Sequence, residues 1–192
     1  MIVTAVTRYI DVNLMTKHSL PLSKVYTLLE AGPVVLLTTA HKGRTNVMAM
    51  SWHTMLEFEP PLVGCVVSDR DFSFAALKAT KECVINIPTV ELAEQVVGCG
   101  NTTGAEVDKF ERFGLTARPA REVAAPLIAE CYANLECRVV DTRMVNAYCF
   151  FVLEVVQAWR DPAVKAPRTI HHEGHGRFMV AGERIKFKSR MK

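Results

Sequence analysis

Several familiar signals are missing from this chain of 192 residues. Six cysteines are present but none form a CxxC pair, which excludes the common zinc-knuckle and thioredoxin-type patterns. No uncharged apolar run reaches the ~20 residues needed to span a bilayer. Arg8 and Asp11 interrupt the N-terminal stretch too early for the apolar core of a signal peptide. No membrane association is expected, and the chain reads as cytoplasmic. The formal net charge is only +3, and the one basic cluster is the tail RIKFKSRMK, so no nucleic-acid partner is expected. The fingerprints GxGxxG, GxxxxGK[ST], GxSxG and HExxH are all absent, which removes the common nucleotide-fold, serine-hydrolase and metalloprotease readings.

What is present is apolar and rich in strand formers. Hydrophobic residues make up 49% of the chain and mean hydropathy is +0.13. That suggests a well-filled core plus apolar surface reserved for a partner or cofactor. A single domain over 1–192 is expected, with an extended lead-in over 1–20 and a core over about 30–182. Most cysteines sit in apolar runs and read as buried, reduced thiols. Cys99, in GCGNTTG, is expected to be the most exposed.

The order of elements follows from pattern and punctuation. SKVYTLLEAGP predicts a short helix capped by Ser23 and closed by Gly32. VVLLTTA and TNVMAMSW predict strands joined by a hairpin at HKGR. EPPLVGCVVS predicts a third strand and ECVINIP a fourth, with the helix DFSFAALKAT between them. TVELAEQVVGCG predicts a helix started by Thr89 and ended by Gly98 or Gly100. GAEVDKFERFG predicts a short amphipathic helix or turn. LIAECYANLECRVVDTRMV and NAYCFFVLEVVQAWRD predict two long strands, followed by a loop over 161–176 and a last strand or hairpin in GRFMVAGERIKFK. The fold class expected is mainly β with peripheral helices, built on a largely antiparallel closed sheet.

Four segments carry candidate chemistry. In TNVMAMSW, strand alternation puts Val47, Ala49 and Ser51 on one face and Met48, Met50 and Trp52 on the other. Small residues on one face allow a flat ligand to lie against the backbone; an ordinary half-buried strand gives the same pattern. In VSDRDFSF, Ser68, Arg70 and Ser73 surround the start of a helix, where free N–H groups and a guanidinium suit a phosphate monoester. An ordinary helix cap is the plainer reading, and Asp69 and Asp71 would repel a dianion unless turned away. Asn86 lies in an apolar strand and must find partners, in the backbone or a ligand. Lys109 lies near Phe110 and Phe113. His171, His172 and His175 have the order HHxxH, and the glycines around them oppose a helix, so no metal site is expected; a loop histidine beside a pocket fits better.

Taken in order, GPVVLLTT, TNVMAMSW, PPLVGCVVS, ECVINIP, ELAEQVVGCG, DKFERFGL, APLIAECYANLECRV and HEGHGRF resemble the flavin reductase-like family, especially its flavoredoxin-like branch. The resemblance covers about residues 30–182. It implies an FMN-binding split β-barrel, antiparallel and Greek-key-like, working as a homodimer. It implies that Asn46, Val47, Met48, Ala49, Met50, Ser51 and Trp52 lie along the flavin ring. Ser68, Arg70 and Ser73 would bind the phosphate, with Asn86 and Lys109 also near the cofactor. The loose match of His172, Gly174 and Phe178 to the family's C-terminal pattern makes His172 and His175 the candidate catalytic residues. The implied activity is NAD(P)H-dependent flavin reduction, with NADH or NADPH as co-substrate and free flavin, a monooxygenase or another redox protein as acceptor. The alternative is a non-enzymatic FMN electron carrier.

Overall fold

The structure is a computed structural model that describes residues 32–188. The lead-in over 1–20, and all of the expected helix before Gly32, lie outside the described residues. Eleven strands and four helices follow among them. The first two strands, β1 (Val35–His41) and β2 (Arg44–Met50), form an antiparallel hairpin in which His41 pairs with Arg44. Its two-residue turn has Lys42 at φ 50° and Gly43 at φ 74°. Both are left-handed, as a primed hairpin turn requires.

A seven-stranded sheet runs β2-β1-β5-β8-β9-β4-β3. Its other members are β3 (His53–Glu57), β4 (Leu62–Val66), β5 (Glu82–Ile87), β8 (Ala133–Asp141) and β9 (Phe150–Arg160). Every pairing is antiparallel. Two small ribbons complete the strands: β6 (Ala117–Arg118) with β7 (Leu127–Ile128), and β10 (Ile170–Gly174) with β11 (Arg177–Val180).

Strands β1 and β2 read as nearly unbroken apolar runs because both of their faces are covered. Val35, Leu37, Met48 and Met50 point into one core with Val63, Cys65, Phe151 and Leu153. Val34, Leu36, Val47 and Ala49 point into a second core, shared with the helical layer. That layer consists of α2 (Ala93–Asn101), preceded by a 3₁₀ turn at Val90–Leu92, and α3 (Lys109–Phe113). Helix α1 (Phe72–Thr80) packs Leu77 and Phe74 against the first core, with the Phe74 ring edge-on to Phe151 at 5.6 Å. A short α4 (Val145–Tyr148) links β8 to β9.

Several expectations need correction. β3 was not foreseen. It is a sheet edge, with Thr54 to Glu57 exposed, so it has no buried face to print an alternation on the sequence. The 161–176 region is not all loop, since β10 starts at Ile170. Gly98 and Gly100 do not end α2, which runs on to Asn101. Gly98 is required inside the helix because a Cβ there would strike the Phe113 ring of α3. Cys99 is buried, not exposed, and burial pushes its thiol up to about 11.

Candidate functional site

A groove in two chambers runs between β2 and α2. The smaller chamber, about 130 Å³, lies beside the first half of β2. Asn46, Met48 and Ala49 form its floor, Arg70, Asp71 and Phe72 one wall, and Thr102, Thr103, Gly104 and Lys109 the other. The larger chamber, about 300 Å³, lies beside the end of the same strand. Its floor is Ala49, Met50 and Ser51, α2 supplies Val96, Val97 and Gly100, and the β10–β11 hairpin supplies His172, Gly176 and Phe178. Ala49 and Gly100 line both chambers. A Cβ added to Gly100 would sit 3.6 Å from that of Ala49, so the pair forms a waist between the two.

The small chamber is held by its own hydrogen bonds. Asn46 Nδ2 donates to Ser73 Oγ at 2.8 Å, fixing β2 to the first turn of α1. The Asp71 carboxylate does not cap that helix; it turns back and accepts from Ser68 N at 3.1 Å. Ser68 Oγ in turn accepts from Arg70 N at 3.2 Å. Asp108 caps α3 by accepting from Phe110 N and Glu111 N, and left-handed Gly114 closes it. This short helix brings Lys109 into the chamber with only 5% of its surface exposed. Its Nζ donates to Cys99 O at 2.7 Å.

The charges here are strained by burial. Burial lowers the Lys109 pKa, with Cys99 and Asp71 pulling it partly back up. Burial raises that of Asp71, opposed by the Ser68 N–H and the Lys109 charge. An ammonium in such a place favours an anion beside it, because each gains what the other lost on leaving water. An ammonium offers three donors, and one hydrogen bond is directed to the protein chain at Cys99 O. The donor chemistry therefore fits a phosphate monoester.

The larger chamber has a different character. Its floor and α2 wall are mainly aliphatic, with Ser51 and Asn101 as polar members, and the hairpin wall carries two rings. His172 and Phe178, directly paired across β10 and β11, lie 5.2 Å apart and tilted by 52°. The hairpin is tied to the main sheet by the bond from Val34 N, just before β1, to Ile170 O at 2.8 Å, and Ala181 N donates to Thr169 O within the hairpin itself, also at 2.8 Å. A slot with mainly aliphatic walls, a few polar groups and rings on one side suits a planar heterocycle.

The candidates named from the sequence are thus divided. Asn46, Met48, Ala49, Met50, Ser51, Arg70, Lys109 and His172 line the groove. Val47 lies beneath it, fully buried in the helical core. Ser73 sits one layer behind Asn46, and Ser68 is engaged in its own turn. Trp52 is 56% exposed and outside both chambers. His175 is at the hairpin tip with φ 54°, between Gly174 and Gly176, and is not part of the lining.

Asn86 is elsewhere altogether. Its Nδ2 donates to Leu36 O at 2.9 Å, and its Oδ1 accepts from Ile128 N at 2.9 Å and Asn134 Nδ2 at 2.8 Å. Those bonds clamp four strands and leave the amide nothing to offer a ligand. The sequence reading missed Gly100, Thr102, Thr103 and Gly104. Their signal was the glycine spacing in GCGNTTG, a turn-rich stretch after a helix.

Comparison with known proteins fits this geometry. Residues 28–178 match the flavin reductase like domain. The chain belongs to the flavin reductase-like family. An FMN-binding domain of a flavin reductases-like enzyme from Shewanella baltica superposes with a TM-score of 0.78 at 28% identity, over 89% of this chain and 97% of that one. Flavoredoxin from Methanosarcina acetivorans superposes with a TM-score of 0.70 at 25% identity, over 83% and 89%. In sequence, the reductase component of a 4-nitrophenol 4-monooxygenase/4-nitrocatechol 2-monooxygenase from Rhodococcus opacus is 31% identical over 129 residues, 67% of this chain and 65% of that protein. The antiparallel sheet of this family member is the FMN-binding split β-barrel of its structural neighbours.

Proposed function

We propose that this chain binds FMN in the two-chamber groove and works as an NAD(P)H-dependent flavin reductase. The observation that carries the reading is the buried Lys109 ammonium at one end of a groove whose other end is a slot for a planar ring. FMN, when bound, would supply two-electron redox chemistry between a nicotinamide and an acceptor. The chain supplies the rest. Lys109 and Arg70 would hold the phosphate, the small Ala49 and Gly100 would border the ribityl chain where the chambers meet, and the backbone of Met50 and Ser51 would meet the edge of the ring system. His172, steadied by Phe178, faces the place where the nicotinamide approaches and orients it. His175, at the hairpin tip, contacts the incoming substrate from outside. The likeness to a monooxygenase reductase component supports an oxygenase or another redox protein as acceptor.

We also read the working form as a homodimer. The exposed apolar side chains of Trp52, Met55, Leu56 and Phe58 along the β3 edge support it, since an uncovered apolar edge strand is otherwise an aggregation risk. Sedimentation equilibrium showing only monomer would remove that part.

The test of the function is the visible spectrum of the purified protein, taken before and after anaerobic NADH or NADPH. Flavin bands that bleach on addition of one nicotinamide support the reductase and identify its donor. The likeness to flavoredoxin favours a second reading, an FMN electron carrier supplied by a protein donor. Flavin bands that persist with both nicotinamides select that reading. No flavin after reconstitution with FMN overturns both.

A further inference from the structure

Arg44 was not singled out by the sequence, and it does not line the groove. It stands directly behind the small chamber. Its Nη2 donates to Gly104 O at 2.9 Å, and its guanidinium lies over the Phe72 ring, 5.1 Å from the centroid. Gly104 itself is wedged in: a Cβ there would strike both the Asn46 side chain and the Phe72 ring. Asn46 in turn is bonded to Ser73 of α1. Three segments far apart in sequence therefore meet as one wall: the start of β2, the first turn of α1 and the 102–104 loop, while Lys109 of α3 lines the same chamber. Guanidinium stacking on an aromatic face together with a hydrogen bond to a carbonyl is a rigid arrangement.

We infer that Arg44 bolts this wall shut and thereby sets which flavin nucleotide the protein accepts. The inference rests on the reading of the groove as a flavin site and goes beyond it. A chamber of about 130 Å³ has room for a terminal phosphate. FAD carries a second phosphate and an adenosine joined to that same phosphate, and these must leave through the wall or past it. Rejection of a larger ligand needs a structure that resists it, not only good contacts to the smaller one. The bolt is that structure. Arg44 is a positioning residue: it acts on the ligand through Gly104 and Phe72.

The experiment is an equilibrium titration of the full chain with FMN, FAD and riboflavin, for the unaltered protein, Arg44→Ala and Phe72→Leu. Phe72 is 37% exposed, so its replacement removes the stacking ring without hollowing a core. The unaltered protein is expected to prefer FMN over FAD by at least about tenfold, the scale at which a pocket excludes added bulk. Both variants are expected to narrow that ratio, chiefly by gaining affinity for FAD, while keeping a cooperative thermal melt. Equal binding of FMN and FAD by the unaltered protein overturns the inference and leaves the flavin site standing. So does an unchanged ratio in Phe72→Leu, even if Arg44→Ala fails to fold. Riboflavin binding as tightly as FMN overturns it too, because the phosphate would then not occupy the chamber. Binding of no flavin at all overturns the inference together with the site.

Discussion

Lys109 concentrates the argument at the scale of single residues. Buried lysines are uncommon because desolvation disfavours the ammonium. Here the ammonium lies beside Asp71 and bonds to Cys99 O, in a chamber that opens toward the rest of the groove. Lys109→Met is expected to weaken FMN binding by about tenfold to a hundredfold, the worth of one charge-assisted hydrogen bond. Riboflavin, which lacks the phosphate, should bind the variant about as it binds the unaltered protein; equal losses for both ligands would assign Lys109 a structural role instead. The direction of its pKa adds a pH test. Burial lowers that pKa, so the ammonium loses its proton at a less alkaline pH than an ordinary lysine would. FMN affinity should therefore begin to fall on the alkaline side before free lysines titrate, and the Met variant should lack that limb. From the sequence this lysine looked like any helical lysine. Only the fold of α3, with Asp108 and Gly114 at its ends, turns it inward.

Elements show a different kind of buried charge. Glu136 on β8 is fully buried, and no cation is paired with it among the described ion pairs. Its carboxylate accepts from Glu122 N at 2.6 Å, Arg121 N at 3.0 Å and Trp159 Nε1 at 2.7 Å. Burial alone would push its pKa up, but the Trp159 indole and the backbone N–H groups together hold it below the ordinary range. The group staples the segment before β7 to β8 and β9. A folded-state pKa below the unfolded value means this stability is fully present above the ordinary glutamate value of about 4.3. It is lost as pH falls through the lower folded value. Glu136→Gln puts an amide donor against N–H donors and should cost on the order of 2 kcal/mol at neutral pH. Urea melts at pH 7 and near pH 4 should show the difference between the proteins shrinking in acid.

Gly98 makes the opposite point about propensity. Alanine is better than glycine in a helix by about 1 kcal/mol, yet Gly98→Ala is expected to lower the melting temperature, because its methyl would meet the Phe113 ring. A rise on thermal denaturation would show that α3 shifts freely. These contacts also explain what pattern-reading could and could not find. The long strands with a covered face were legible; the exposed β3 and the short β10, whose one core side chain is Ile170, were not. Cys99 looked exposed because glycines surround it, while α2 turns it onto Val47 and Phe110 in the second core.

Over the whole molecule, the predominance of strands and their largely antiparallel pairing were readable from turn residues and apolar runs, whereas β3, β10 and the break of the stretch 127–145 into β7 and β8 were not. The seven-strand order was not, since neighbours such as β1 and β5 are far apart in sequence. The same limit hid the 102–104 loop and Arg44, whose roles exist only after the barrel has closed on the helices. The floor of the groove is β2, a strand whose two faces belong to the two main cores. Ligand binding should therefore be felt by global unfolding, not by a loop alone. At FMN a hundredfold above its dissociation constant, the linkage amounts to about 2.7 kcal/mol. For a domain of this size that is a rise of roughly 5–10 °C in melting temperature. A melt that ignores FMN while the flavin is demonstrably bound would mean that the groove is decoupled from the barrel.

The waist formed by Ala49 and Gly100 has a consequence for how such a protein can diversify. One chamber is walled by α1, α3 and the 102–104 loop, the other by the β10–β11 hairpin, and they share a floor. Replacing side chains of the hairpin leaves Asn46, Arg70 and Lys109 of the small chamber in place. On the proposed reading, anchoring of the phosphate and choice of reaction partner are thus carried by separate elements over one strand, and substitutions in the hairpin are expected to change the second while sparing the first.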